Sequence, residues 1–95
     1  MFKITNHKGF QITFENGWTV SVQFGAGNYC ENYNMPWGAA AASEVWRSHD
    51  AEIAAWDADG NWYGFEHDPV DGRKAADEVL AFMNEIAAIR ASVQG

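Results

Sequence analysis

Any chemistry in these 95 residues must come from a small set of side chains. Cys30 is the only thiol, and His7, His49 and His67 are the only imidazoles. A Cys–His pair could assemble in space, but no signature of a thiol nucleophile surrounds Cys30, and cysteine often serves as a small buried hydrophobe. His49-Asp50 and His67-Asp68 each set a carboxylate beside an imidazole. No histidines stand at helical i, i+4 spacing and there is no Cys-x-x-Cys, so a zinc site is not indicated. Asp57, Asp59 and Asn61 have the alternate spacing of a calcium loop, with Asp68 at its twelfth position. Three departures argue against calcium. The glycine is Gly60 rather than the residue after Asn61, the twelfth ligand should be a bidentate glutamate, and Trp56 and Trp62 flank the segment in strand-like patterns. A plain hairpin turn is the expected structure. These residues predict no catalytic centre, no metal and no cofactor, hence a protein that is not an enzyme.

Two other constellations suit binding. Between Gly25 and Ala42 the chain has no period of two or of 3.6 until the alanines. Structureless stretches longer than ~12–15 residues are uncommon in compact domains and are often functional. Here Asn28, Tyr29, Asn32, Tyr33, Asn34 and Trp37 interleave amide and aromatic groups. That mixture offers large rigid contacts beside adaptable hydrogen bonds, as binding loops do. The second constellation is acidic and aromatic: Glu52, Asp57, Asp59, Glu66 and Asp68 beside Trp56, Trp62 and Tyr63. Such a patch could dock on an arginine-rich surface or imitate phosphate toward a basic groove. Solubility alone is the plainer role for acidic residues. The expected partner-binding residues are Asn28, Tyr29, Asn32, Tyr33, Trp37, Glu52, Trp56, Asp57, Asp59 and Trp62.

The elements that must position these groups follow from hydrophobic period. Phe2-Lys3-Ile4-Thr5-Asn6, Phe10-Gln11-Ile12-Thr13-Phe14-Glu15 and Trp18-Thr19-Val20-Ser21-Val22-Gln23-Phe24 all alternate apolar and polar, which predicts half-buried strands. Phe10, Ile12 and Phe14 should share one face with Val20, Val22 and Phe24, leaving Thr13, Ser21 and Gln23 on the other. Asn16-Gly17 predicts a type I′ hairpin turn, and Lys8-Gly9 an earlier one. Residues 39–43 fit either a helical turn or the approach to a strand at 44–47. A second hairpin is expected from strands at 51–56 and 61–66 around Asp57-Ala58-Asp59-Gly60, with Gly60 left-handed. Asp68-Pro69-Val70-Asp71-Gly72 reads as a turn, with Asp68 or Asp71 able to cap the next helix. That helix is expected from about Arg73 to Ser92, where Val79, Phe82, Met83, Ile86, Ile89 and Val93 recur every three or four residues. Asp77 and Glu78 early and Arg90 late suit its dipole. The fold class is α+β: an antiparallel β-meander of four to five strands with one C-terminal amphipathic helix packed on one face, a single domain over residues 1–95.

Composition narrows the partners. The net charge is −7, and nine acids between Asp50 and Glu78 stand against only Arg73 and Lys74. Direct binding to nucleic acid or to an anionic membrane is disfavoured, because phosphate attraction needs clustered Lys and Arg. Attraction to a basic protein surface is favoured. Five tryptophans exceed what so small a core can hold, so some should lie at the surface. No apolar run reaches the ~20 residues of a membrane span, the first residues enter a strand pattern rather than a signal peptide, and a lone cysteine suggests no oxidising compartment. The cytoplasm is the expected location. An exposed strand edge and the surplus tryptophan are compatible with a homodimer.

The stretch Lys8-Gly9-Phe10-Gln11-Ile12-Thr13-Phe14-Glu15-Asn16-Gly17-Trp18-Thr19-Val20-Ser21-Val22-Gln23-Phe24-Gly25, followed by Gly27-Asn28-Tyr29-Cys30, resembles small proteins carried by tailed phages and prophages. Ala51-Glu52-Ile53-Ala54-Ala55-Trp56-Asp57 with Asp59-Gly60-Asn61-Trp62 fits the same resemblance. The resemblance implies a setting, the host cytoplasm, rather than a mechanism. Compact acidic phage proteins are similar in size and charge to inhibitors of host machinery, anti-CRISPR proteins among them. The expectation is a non-enzymatic binding protein that occupies a basic surface of a host defence protein. A small-ligand binder that stacks a nucleotide-like ring on Tyr29, Tyr33 and Trp37 is the alternative, and a virion or assembly component is another.

Overall fold

A computed structural model describes residues 1–6, 8–35, 47–64 and 70–90. Five strands form one antiparallel sheet in chain order: β1 (Phe2–Thr5), β2 (Gly9–Thr13), β3 (Thr19–Gln23), β4 (Asp50–Trp56) and β5 (Val70–Ala75). One helix, α1 (Ala76–Ala87), packs on it. This is the expected α+β meander. No helix among the described residues is long and apolar enough to cross a membrane.

Alternation works because cross-strand partners share a face. The register aligns Phe2 with Ile12, Val20 and Ala55, and aligns Ile4 with Phe10, Val22 and Ile53. Two apolar rows therefore cross the sheet on the face that α1 covers. Val79, Phe82 and Ile86 of α1 close the core over Val20, Val22, Ala51, Ile53 and Ala55. Burial is graded along the rows. Val20 and Ala55 are fully buried, Ile12 and Phe10 are half-buried, and Phe2 and Ile4 are each 79% exposed. The opposite face carries Thr13 against Thr19, with their hydroxyls 2.8 Å apart, and Gln23 bonded to Thr5 and Ser21.

Both expected turns form: the first is of a different type from that expected, and the second has Gly60 left-handed as expected. The type I′ turn at Asn16-Gly17 needs positive φ at both residues. Gly17 has φ 89°, whereas among the described residues only Asn6 and Arg73 are non-glycines with positive φ. The result is a three-residue loop closed by Phe14 N–H to Trp18 O at 2.8 Å and by Gly17 N–H to Phe14 O at 3.0 Å. Asn16 is needed elsewhere. Its Oδ1 accepts the Trp18 N–H at 2.9 Å, and its Nδ2 donates to the carbonyls of Ile86 at 2.9 Å and Ile89 at 2.7 Å, with Ala87 O at 3.3 Å. These are carbonyls that the end of a helix leaves unpaired. Arg90 was expected to serve that end, but the last turn holds no basic residue. The second hairpin repeats the same loop: Asp57 N–H to Asn61 O at 2.9 Å, Gly60 N–H to Asp57 O at 3.0 Å, and Gly60 at φ 84°. Gly9, expected in a turn, is a β2 residue paired with Thr5 and Gln23.

The sequence reading is corrected in the last third of the described chain. The strand expected over 61–66 is, within 61–64, only a bridge from Trp62 to Trp56 and a bond from Tyr63 N–H to Ala55 O. The rest of that edge of β4 pairs with β5, in residues read as a turn and a helix start. Arg73 at φ 58° forms the bulge that shifts the β5 register. The helix therefore begins at Ala76 rather than Arg73. Its entry is fixed by the Ala75 N–H donating to Glu78 Oε1 at 3.0 Å, not by Asp71, which lies in β5. Trp37, the alternative at 39–47 before Arg47, Asp68 as a cap and the helix beyond Arg90 lie outside the described residues.

Replacing Asn16 with Ala removes the donor that joins the β2–β3 turn to the end of α1. We expect a loss of about 1–3 kcal/mol in urea unfolding. Asn16→Asp should cost more than Asn16→Ala, because it turns a carboxylate toward the same carbonyls.

Candidate functional site

The face away from α1 carries two aromatic pairs at opposite ends of β4. Glu52, Ala54 and Trp56 point to it by alternation, and Glu52 and Trp56 are about 13 Å apart along the strand. At the Glu52 end sits the irregular segment 25–35. Asn28 and Asn32 are turned inward and bonded, whereas Asn34 is exposed. Asn28 is buried, and its Oδ1 accepts the Gly25 N–H at 3.0 Å while its Nδ2 reaches Glu52 Oε1 at 3.5 Å. Glu52 Oε2 accepts the Tyr29 N–H at 3.2 Å. Asn32 Nδ2 donates to Phe24 O at 2.7 Å and to Arg47 O at 3.1 Å. Asp50 Oδ1 accepts the Glu31 N–H at 2.7 Å, and Glu31 in turn accepts the His49 N–H at 3.0 Å. Tyr29 O accepts the Arg73 N–H at 2.8 Å, which ties the loop to the β5 bulge. A Cβ on Gly72 would overlap the Tyr29 Cβ, so this close approach requires glycine.

With Asn28 and Asn32 turned in, the loop turns its tyrosines out. Tyr29 and Tyr33 stack at 5.7 Å with planes 8° apart, and Tyr29 is 51% exposed. At the other end of β4, Trp56 and Trp62 meet at 5.0 Å, and Trp62 is 54% exposed. The next residue, Tyr63, points to the α1 face. It packs edge-on against Phe82 and Trp18 and donates its hydroxyl to Glu85 at 2.8 Å. That hydrogen bond, followed by burial, raises the Tyr63 hydroxyl above its ordinary pKa. The hairpin is thus anchored to the helix while Trp62 faces out.

The ten expected binding residues therefore divide by role. Tyr29, Tyr33, Trp62 and Asp59 are outward-facing. Asn28, Asn32 and Glu52 build the loop from within, and Trp56 is the half-buried support for Trp62. Asp57 closes the turn: its Oδ1 accepts the N–H groups of Asp59 and Asn61, each at 2.9 Å, and its Oδ2 accepts the Asn61 side-chain amide at 3.1 Å. Those bonds occupy the carboxylate that a calcium loop would use first, and no group of three ligating residues gathers among the described residues. Trp37 lies outside them. Cys30 is fully buried, its thiol 3.7 Å from Gly25 O, and so is closed to an external electrophile. His49 Nδ1 lies 3.1 Å from Glu31 at the surface, and that hydrogen bond, with the His49 N–H, holds the Glu31 carboxyl below its ordinary pKa. The inward roles of Asn28 and Asn32 had no local signal, because their partners lie in Glu52, Phe24 and Arg47.

A separate hollow of about 290 Å³ lies on the α1 side, lined by Phe10, Val22, Phe24, Asp50, Lys74 and Val79 among others. Two of its walls, Phe24 and Asp50, also hold the loop through Asn32 and Glu31. Lys74 there is held by Asp71 at 3.0 Å, and this bond raises its pKa.

The Asp57 carboxyl is held below its ordinary range, first by the Asn61 N–H and side-chain amide, with the Asp59 and Gly60 N–H groups adding. A lowered folded pKa contributes stability that is present above the unfolded value, ~3.9, and is lost as pH falls through the folded one. We expect the thermal midpoint to fall as pH drops below about 4, and Asp57→Asn to flatten that acid limb. Chemical-shift titration should place the Asp57 midpoint below the ordinary aspartate value.

Comparison with protein families, with curated proteins and with solved structures finds no match for the chain.

Proposed function

We propose that this chain is a non-enzymatic binding protein of the phage type that acts by occupying a basic surface on a host protein, a defence protein in the setting its sequence resembles. The observation that supports this reading is the loop 25–35, in which internal bonds use Asn28 and Asn32 and leave two stacked tyrosines outward. Rigid aromatic anchors lose little entropy on binding, so they suit the centre of an interface. Trp62 extends the aromatic surface, and the acids of the 50–78 segment steer a basic partner toward it. Stacking of a free nucleotide is less favoured, because Tyr29 and Tyr33 already stack on each other. The net charge of −7 also opposes a phosphate.

The test is capture of a partner from host lysate by the immobilised chain, followed by affinity measurement on the captured protein. We expect Tyr29→Ala with Tyr33→Ala, and separately Trp62→Ala, to weaken binding by about 2 kcal/mol each, roughly thirtyfold. Asp59→Asn should slow association and reduce its salt dependence. Asp57 is unsuitable for that purpose because it closes its turn. Affinity unchanged in all of these variants would overturn the proposal.

A further inference from the structure

The two apolar rows are better covered at one end than at the other. On α1, successive residues turn by 100°, which places Glu78, Ala81 and Glu85 on one flank and Ala76, Leu80 and Met83 on the opposite one. The first flank lines a groove with Asp71 and Lys74 of β5. Ala76 borders a hollow with Phe10, Val22 and Phe24 of the β2–β3 side. The Leu80 flank therefore faces the β1–β2 half of the sheet, and Leu80 is 55% exposed. The molecule is a step. Its tread is the thinly covered half-sheet, with Phe2 and Ile4 exposed and Phe10 and Ile12 half-buried against the core, and its riser is the exposed Leu80 beside the half-buried Met83.

We propose that a second copy of this chain covers this step, as a two-fold dimer with the thinly covered half-sheets stacked face to face. Three observations favour a second copy. The first is dimensional. Sheets stack about 10 Å apart, and a helix is about 10–12 Å across. The partner's half-sheet therefore fits into the layer that α1 occupies, with its β1 edge against the Leu80 flank. By symmetry, the partner's helix then stands beside the β1 edge of the first copy, so one operation covers tread, riser and edge together.

The second is chemical. Every described β1 and β2 strand position on this face is apolar, and Lys3 and Gln11 point to the other face. The first 14 residues contain no acid at all. An uncharged centre is what a specific interface needs, and no like charges are brought together.

The third is area. The six exposed or half-exposed side chains of the step amount to roughly 500 Å² of apolar surface, at the upper end of what a monomer leaves bare. This is below the ~800 Å² per partner of a standard specific interface, which suits a weak dimer. The β1 edge adds a further incentive. Met1 and Thr13 exchange backbone bonds, Met1 N to Thr13 O at 2.9 Å and Thr13 N to Met1 O at 2.8 Å. By antiparallel alternation the N–H and C=O groups of Phe2 and Ile4 point outward from the sheet. The partner's helix shields that edge without pairing with it.

Sedimentation equilibrium of the full chain from roughly 5 to 500 μM tests this, a range that brackets micromolar dimers. We expect a dimer. Ile4→Lys, on the tread, and Leu80→Lys, on the riser, should each raise the dissociation constant at least about tenfold while the circular dichroism spectrum stays unchanged. Trp62→Lys, on the other face, should leave it unchanged. A monomer throughout the range would overturn the proposal. So would a dimer insensitive to Ile4→Lys, or one broken by Ile4→Lys and untouched by Leu80→Lys, which would mean edge-to-edge pairing instead of interlocked steps.

Discussion

Among the described residues one short helix covers a five-stranded sheet, and it is too small to cover all of it. Twelve residues give a rod about 18 Å long and ~10 Å wide, whereas five strands spaced ~4.8 Å apart spread over about 19 Å before side chains are added. The helix closes the core over β3, β4 and β5, and exposure climbs along both apolar rows toward β1. Asn16 fixes where the helix ends by donating to its last carbonyls from the β2–β3 turn, 70 residues earlier in the chain than Ile86. Together with the Tyr63 hydroxyl bonded to Glu85, that tie fixes the C-terminal end of the helix against the sheet. The rest of the architecture follows from this placement.

The opposite face meets the same shortage of covering elements in a different way. There the chain lays a loop against the sheet and satisfies its main chain with side chains. Glu52, Asp50 and Asn28 replace the backbone partners that a strand would have had. The cost of ordering this segment is met on folding rather than on binding. That division has a functional consequence. Groups that look adhesive in the sequence, Asn28 and Asn32 above all, are internal braces, and the recognition surface is reduced to a few rings and acids on a rigid base.

Strand order on one side was legible because the physics there is local. Phe10, Ile12, Val20 and Val22 alternate in the sequence, and the register places them on one face as that alternation requires. The hairpins were locatable from Gly17 and Gly60, although the turn type was not, since Asn16 is recruited by a helix distant in sequence. β5 was illegible. Val70-Asp71-Gly72-Arg73-Lys74-Ala75 has no period of two because the bulge at Arg73 breaks it, and Gly72 is there for Tyr29 rather than for a turn. The helix boundary moved with it, from Arg73 to Ala76. In the loop, Tyr29 and Tyr33 were recognisable as contact residues by type, but the inward turn of Asn28 and Asn32 depends on partners 24 residues and more than a dozen residues away.

Recognition by this face requires a loop that is built before any partner arrives, and residue-resolved amide hydrogen exchange on the free chain measures that directly. The Glu31 amide, bonded to Asp50, and the Arg73 amide, bonded to Tyr29 O, are the reporters, since no regular ladder protects either bond. Both should exchange more than about a hundredfold slower than in an unstructured chain. Exchange at the unstructured rate, while the amides of β3 and β4 stay protected, would contradict a loop built in advance.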